Sequence, residues 1–89
     1  MAHMLITHRV EDYDHWRAVF DDKASLRQEN GELSAQIFRN ADDPNNVVLL
    51  FAWDNLDNAR RYAQDPRLRA AMQDAGVIGP PTVVFLDEA

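Results

Sequence analysis

An α+β fold of order β-α-β-β-α-β is predicted from three features of this 89-residue chain. Two stretches carry apolar residues at helical spacing, and each lies between segments that read as strands. A run dense in turn formers, Asn40-Ala41-Asp42-Asp43-Pro44-Asn45-Asn46, separates the two middle strands and predicts a hairpin. The third feature is "NNVVLLFAWDN", residues 45 to 55, which is apolar on both sides of the strand it predicts. Val47, Leu49, Phe51 and Trp53 point one way and Val48, Leu50 and Ala52 the other, whereas a half-exposed strand alternates apolar with polar.

Each element follows from local chemistry. Met4–Val10 reads as the first strand, closed by Glu11-Asp12. Asp12 is placed to cap a helix from Tyr13 to about Asn30, stopped at Gly31, with Tyr13, Trp16, Phe20 and Ala24 on its apolar face. Leu33–Asn40 is the second strand, with Leu33, Ala35 and Ile37 on one side and Ser34, Gln36 and Asn40 on the other. After Trp53, Asp54 or Asn55 caps a second helix whose apolar side holds Leu56, Ala59 and Ala63. Asp65-Pro66 interrupts it, and Leu68, Ala71, Met72 and Ala75 carry the buried face on to Gly76. Gly79-Pro80-Pro81 predicts an extended turn before the last strand, Thr82–Leu86.

This order is the split βαβ, or ferredoxin-like, arrangement: both helices on one face of a four-stranded antiparallel sheet, with the first and third strands central. The helices then leave the other face of Val47–Trp53 bare. An open apolar face of that size is uncommon in monomers, so a second copy packed sheet to sheet is expected, giving a homodimer.

Composition narrows the function. A chain this short buries about 60–65% of the surface its unfolded form exposes, and 46% apolar content supports a single globular domain. There is no cysteine, which excludes disulfides and thiolate chemistry. The formal charge of −6 argues against nucleic acid and anionic membranes as partners. No apolar run is long enough to span a bilayer and no secretory pattern is present, so a cytoplasmic location is expected. Met1-Ala2-His3 ahead of Met4 resembles a cloning remnant, which leaves residues 4–89 as the domain.

"THRVEDYDHW" and "LLFAWDNLDNARRYAQDPRLRAAMQDAGV" together resemble the dimeric α/β-barrel superfamily, in particular the small antibiotic-biosynthesis-monooxygenase-like and polyketide-cyclase-like proteins. The resemblance covers nearly all of residues 4–88 and specifies the fold better than the chemistry. It implies a homodimer with a ligand cavity in each subunit, between the helices and the sheet. The implied activity is cofactor-independent oxygenation or cyclisation of a hydrophobic aromatic, polyketide-like molecule. The alternative is a non-catalytic binding or stress-responsive barrel protein. A cavity of about 300 Å³ or more with His8 opening onto it separates the two.

Within such a cavity His8, on the first strand with Ile6, is the leading polar group and the candidate base; its structural alternatives are a buried histidine satisfied by one hydrogen bond and a barrel-facing one at the dimer interface. Tyr62 is the candidate for orienting a carbonyl. Trp16, Phe20, Trp53 and Met72 are the candidate substrate-binding residues, and the aromatics among them have a plain core alternative. Arg39, late on the second strand, could bind an acidic substrate, although on an edge strand a solvent-facing position is the stronger reading; the stripe Arg60, Arg61, Arg67, Arg69 reads as solvated. His8 and His15 with Asp12 or Asp14 have no recognised metal-ligand spacing, and no G-x-S-x-G elbow, P-loop or dinucleotide fingerprint occurs. The haem-degrading branch of the superfamily carries an asparagine, a tryptophan and a ligating histidine where this chain has His8, Tyr62 and Met72. No cofactor is therefore expected.

Overall fold

A computed structural model describes residues 2–89. Strand β1 (Ala2–Val10) leads into helices α1 (Tyr13–Asp22) and α2 (Ala24–Glu29), followed by the hairpin β2 (Glu32–Arg39) and β3 (Asn46–Trp53). Helices α3 (Leu56–Ala63) and α4 (Pro66–Asp74) then precede β4 (Val77–Asp87). The sheet is antiparallel in the order β2-β3-β1-β4, so the fold is the ferredoxin-like α+β arrangement with β1 and β3 central.

Capping chemistry sets the helix starts. Asp12 accepts from the Asp14 N–H, Asn55 from Asn58, and Asp65 from Arg67, each satisfying a first-turn donor that has no partner inside its helix. The helical face of the sheet is packed by Met4, Ile6 and Val10 of β1 and by Val47, Leu49, Phe51 and Trp53 of β3, against Trp16, Ala59 and Tyr62. On the opposite face the same strands are only half-buried: Leu5 and Thr7 lie beside Val48 and Leu50. The edge strands add Phe38, Val84 and Leu86 there.

Four local readings are corrected by this structure. The continuous helix expected from Tyr13 to Asn30 breaks at Lys23. The Phe20 carbonyl there accepts from the Lys23 N–H (3.3 Å) and from Arg27 Nη1 (2.7 Å), a side-chain insertion of the kind that kinks helices. Leu33 does not share a face with Ala35 and Ile37: Glu32 pairs with Trp53 and Ser34 with Ala52, so Leu33 is an extra residue, 58% exposed. The Gly79-Pro80-Pro81 turn lies inside β4, which begins at Val77 rather than Thr82. Ile78 pairs with Arg9 and Thr82 with Thr7, leaving these three residues opposite His8 as a bulge on an edge strand, where missing proline donors are tolerated. Finally, β1 starts at Ala2, which pairs with Trp53 and Asp87.

Gly31 closes the helical arm onto the sheet. Its φ of +116° suits glycine, and a Cβ there would collide with the Asp54 carboxylate and the Trp53 indole. Its carbonyl accepts the Asp54 N–H at 2.9 Å, and the neighbouring Asn30 carbonyl accepts Trp53 Nε1 at 2.9 Å.

Candidate functional site

The alternation of β1 sends Ala2, Met4, Ile6, His8 and Val10 toward the helices, and His8 is the one polar side chain in that row. It is 5% exposed, and neither ring nitrogen has a hydrogen-bond partner among the described residues. The Gly79–Pro81 bulge takes the adjacent edge strand out of register beside it. Trp16 meets its ring edge to face, with centroids 5.7 Å apart and planes at 74°. Burial without compensating charge lowers its pKa from 6.5 to about 4, so the imidazole is neutral at pH 7.

His8 lines a chamber of about 50 Å³ between the sheet and the helices, shared with Trp16, Phe20, Tyr62 and Met72. These five site candidates are brought together. Trp53 is not: it lies outside that lining, fully buried, stacked on Tyr62 at 5.2 Å and bonded to the Asn30 carbonyl. Its role in the structure is to hold Tyr62 and the end of α2 against the sheet. The chamber has room for a few water molecules, well short of the roughly 300–1,000 Å³ of ordinary ligand pockets.

Trp16 stacks on Phe20 at 5.0 Å and Phe20 meets Phe51 at 6.3 Å, so rings run continuously from His8 across the chamber wall. Tyr62 also lines the chamber. Burial, as the largest cause, pushes its phenol up to about 12, which keeps it protonated and able to donate a hydrogen bond at neutral pH.

Sequence reasoning missed the two cations on this lining, Lys23 and Arg27. Arg27 is buried against Glu32, with its guanidinium 3.7 Å from the Phe20 ring centroid. The bulge at Leu33 makes this pair: it turns Glu32 to the helical side, as the partner of Trp53. Lys23 sits at the helix break and has no ion-pair partner among the described residues. One signal was available: Trp16, Phe20, Lys23 and Arg27 follow helical spacing, which places two cations on the apolar face. Arg39 lies over the Tyr13 ring at 3.9 Å and donates to the Pro44 carbonyl, outside the chamber lining. His15 Nε2 lies 2.8 Å from the Asp74 carbonyl and ties α1 to α4. Among the described residues no helix is long and apolar enough to cross a membrane.

A four-stranded sheet with four short helices on one face, enclosing an aromatic-lined chamber with one histidine unpartnered among the described residues, defines a small ferredoxin-like α+β domain. The antibiotic biosynthesis monooxygenase family model matches residues 1–74, and the chain belongs to that family. A Bordetella bronchiseptica protein assigned to antibiotic biosynthesis monooxygenases superposes with a TM-score of 0.81 at 15% identity, over 99% of this chain and 96% of that one. SnoaB of Streptomyces nogalater, a cofactor-independent oxygenase seen as its N63A mutant, gives 0.75 at 16% identity, over 98% and 91%. The ActVA-Orf6 monooxygenase of Streptomyces coelicolor, in complex with nanaomycin D, gives 0.68 at 21% identity, over 99% and 87%. At these identities the structures share the fold with this chain. No curated protein matches it.

Proposed function

We propose that this protein binds a small hydrophobic aromatic molecule between its helices and sheet and performs cofactor-independent oxygenation or cyclisation on it, as a homodimer. The observation that carries the reading is His8: a neutral imidazole, buried, facing the chamber, with both nitrogens free of protein partners. Leaving such a group unpaired costs roughly 1–3 kcal/mol, a cost a ligand hydroxyl or a water would offset.

In the proposed reaction a ring nitrogen of His8 takes a proton from an acidic C–H or phenol of the substrate. In oxygenation the resulting anion reduces dioxygen, the co-substrate; one oxygen atom stays as a new carbonyl, and the other leaves as water with the two hydrogens of the oxidised CH₂. In cyclisation the anion's carbon attacks a carbonyl of the same molecule. A pKa of about 4 makes His8 a weak base on its own, but an imidazolium formed beside the anion it creates is no longer an isolated buried charge. The Tyr62 phenol supplies a hydrogen bond to the developing oxyanion.

His8→Asn tests this. Folding should survive while turnover of an anthrone-like substrate falls about 100-fold or more. Turnover equal to the parent's, or an unfolded variant, would show that His8 is a packing residue. A second reading, a binding protein without turnover, is favoured by the 50 Å³ volume. It is selected if the parent binds such phenols and leaves them unchanged under air.

A further inference from the structure

Met72 borders two spaces. On its inner side is the 50 Å³ chamber of His8, whose wall is almost wholly apolar. On its outer side is a cleft of about 370 Å³ between the α3–α4 turn and the start of β4, lined also by Gln64, Asp65, Arg69, Gln73 and Pro81. The chamber is too small for an aromatic ligand, whereas the two spaces joined fall within the size range of ordinary ligand pockets. We propose that Met72 is the partition between these compartments and that the ligand spans both, its flat apolar body beside His8 and a polar, preferentially anionic, end in the outer cleft beside Arg69.

The wall that carries Met72 is built to give way. Helix α4 has no fully buried residue, unlike α1, α2 and α3. It is bounded by Asp65-Pro66 at one end and by Gly76, with φ +78°, at the other. Methionine itself is unbranched, and its three rotatable bonds let it vacate a gap without moving the backbone. The charge of the outer cleft comes from two groups. The Asp65 carboxylate is taken up by the Arg67 backbone and guanidinium, at 2.8 and 2.7 Å, whereas the Arg69 side chain has no hydrogen bond or ion pair among the described residues. An anion at this end therefore meets a free cation and a carboxylate already neutralised.

The proposal rests on the chamber being the ligand site, but its test reads binding rather than turnover, so it fails separately from the proposed chemistry. The probes are 2-naphthoate and 2-naphthol, followed by quenching of tryptophan emission in stopped flow, since Trp16 lines the chamber. If the parent must first move Met72, only a fraction of molecules is competent at any moment. Met72→Ala should then bind both probes about tenfold faster and several-fold tighter. Met72→Phe, a stiffer and larger plug, should bind more slowly than the parent. Arg69→Gln should weaken 2-naphthoate about tenfold and leave 2-naphthol within twofold. Met72 is half-buried and Arg69 exposed, so these variants are expected to fold, which melting curves check. Equal association rates in the parent, Met72→Ala and Met72→Phe would overturn the partition. An unchanged preference between the probes in Arg69→Gln would overturn the anionic end.

Discussion

His8 is costly as a residue, and the cost has a pH signature. Its pKa is about 4 when folded and near 6.5 when unfolded, so between these values the unfolded chain binds the proton that the folded chain refuses. Stability is therefore complete above about pH 6.5 and declines as pH falls toward 4, by up to about 3 kcal/mol. Asp43 and Asp65 are held below the ordinary carboxylate value by hydrogen bonds from Arg9 and Arg67, so their contribution is lost only at still lower pH. Urea denaturation from pH 4 to 7 should show this slope in the parent and a nearly flat profile in His8→Leu. A parent profile that is flat through that window would mean that His8 is protonated, and paired, in the folded protein. Tyr62 makes a second residue-level prediction. Tyr62→Phe keeps the stack on Trp53 but removes the hydroxyl, so it should leave the melting temperature within a few degrees while lowering turnover about tenfold or more.

At the scale of elements, the pattern of apolar residues located strands and helices well because alternation and helical spacing survive any register. The central pair was legible for that reason, and so was the presence of His8 on a strand, whereas the face of the sheet it takes stays open in the sequence and depends on the pairing. Bulges were not legible: whether Leu33 is skipped, or Gly79-Pro80-Pro81 is carried inside β4, depends on which residues pair across strands, and no local pattern records that. The buried Arg27–Glu32 pair fell outside the reading for the same cause, since only the bulge brings Glu32 to the helical face. Trp53 reads as cavity wall or as core for a different one: an aromatic at the end of a central strand looks alike whether it faces a cavity or, as here, a helix end. The pair also fixes a prediction for this arm of the fold. Glu32→Gln leaves Arg27 charged and buried without its counter-ion and should destabilise by about 3–5 kcal/mol, read by urea denaturation. The double replacement Arg27→Met with Glu32→Leu should recover most of that loss, because it removes the stranded charge along with the pair. Equal losses in the single and double variants would mean that packing, not charge, is what the arm depends on.

The whole molecule leaves one demand unmet by its own chain. All four helices lie over one face of the sheet, and the other presents Leu5, Thr7, Val48 and Leu50 at its centre, flanked by Phe38, Val84 and Leu86. Phe38 is 52% exposed, and these residues are contiguous across all four strands. A patch of this kind is uncommon on a monomer, and the homodimer proposed above would cover it with the same face of a second copy about a twofold axis. Sedimentation at micromolar concentration should accordingly give a species of about twice the 10.2 kDa chain mass. Leu50→Asp places a charge at the centre of that face. Sealed between two sheets it would cost several kcal/mol, whereas on a monomer it would sit in water at little cost. The variant should therefore sediment as a monomer, or unfold if the monomer lacks enough core of its own. Leu33→Asp is the control: Leu33 is exposed at the bulge of an edge strand, away from the centre, and its replacement should leave the dimer intact. A parent that sediments only near 10.2 kDa, or a Leu50→Asp variant as dimeric and as stable as the parent, would leave the open face without the partner assigned to it.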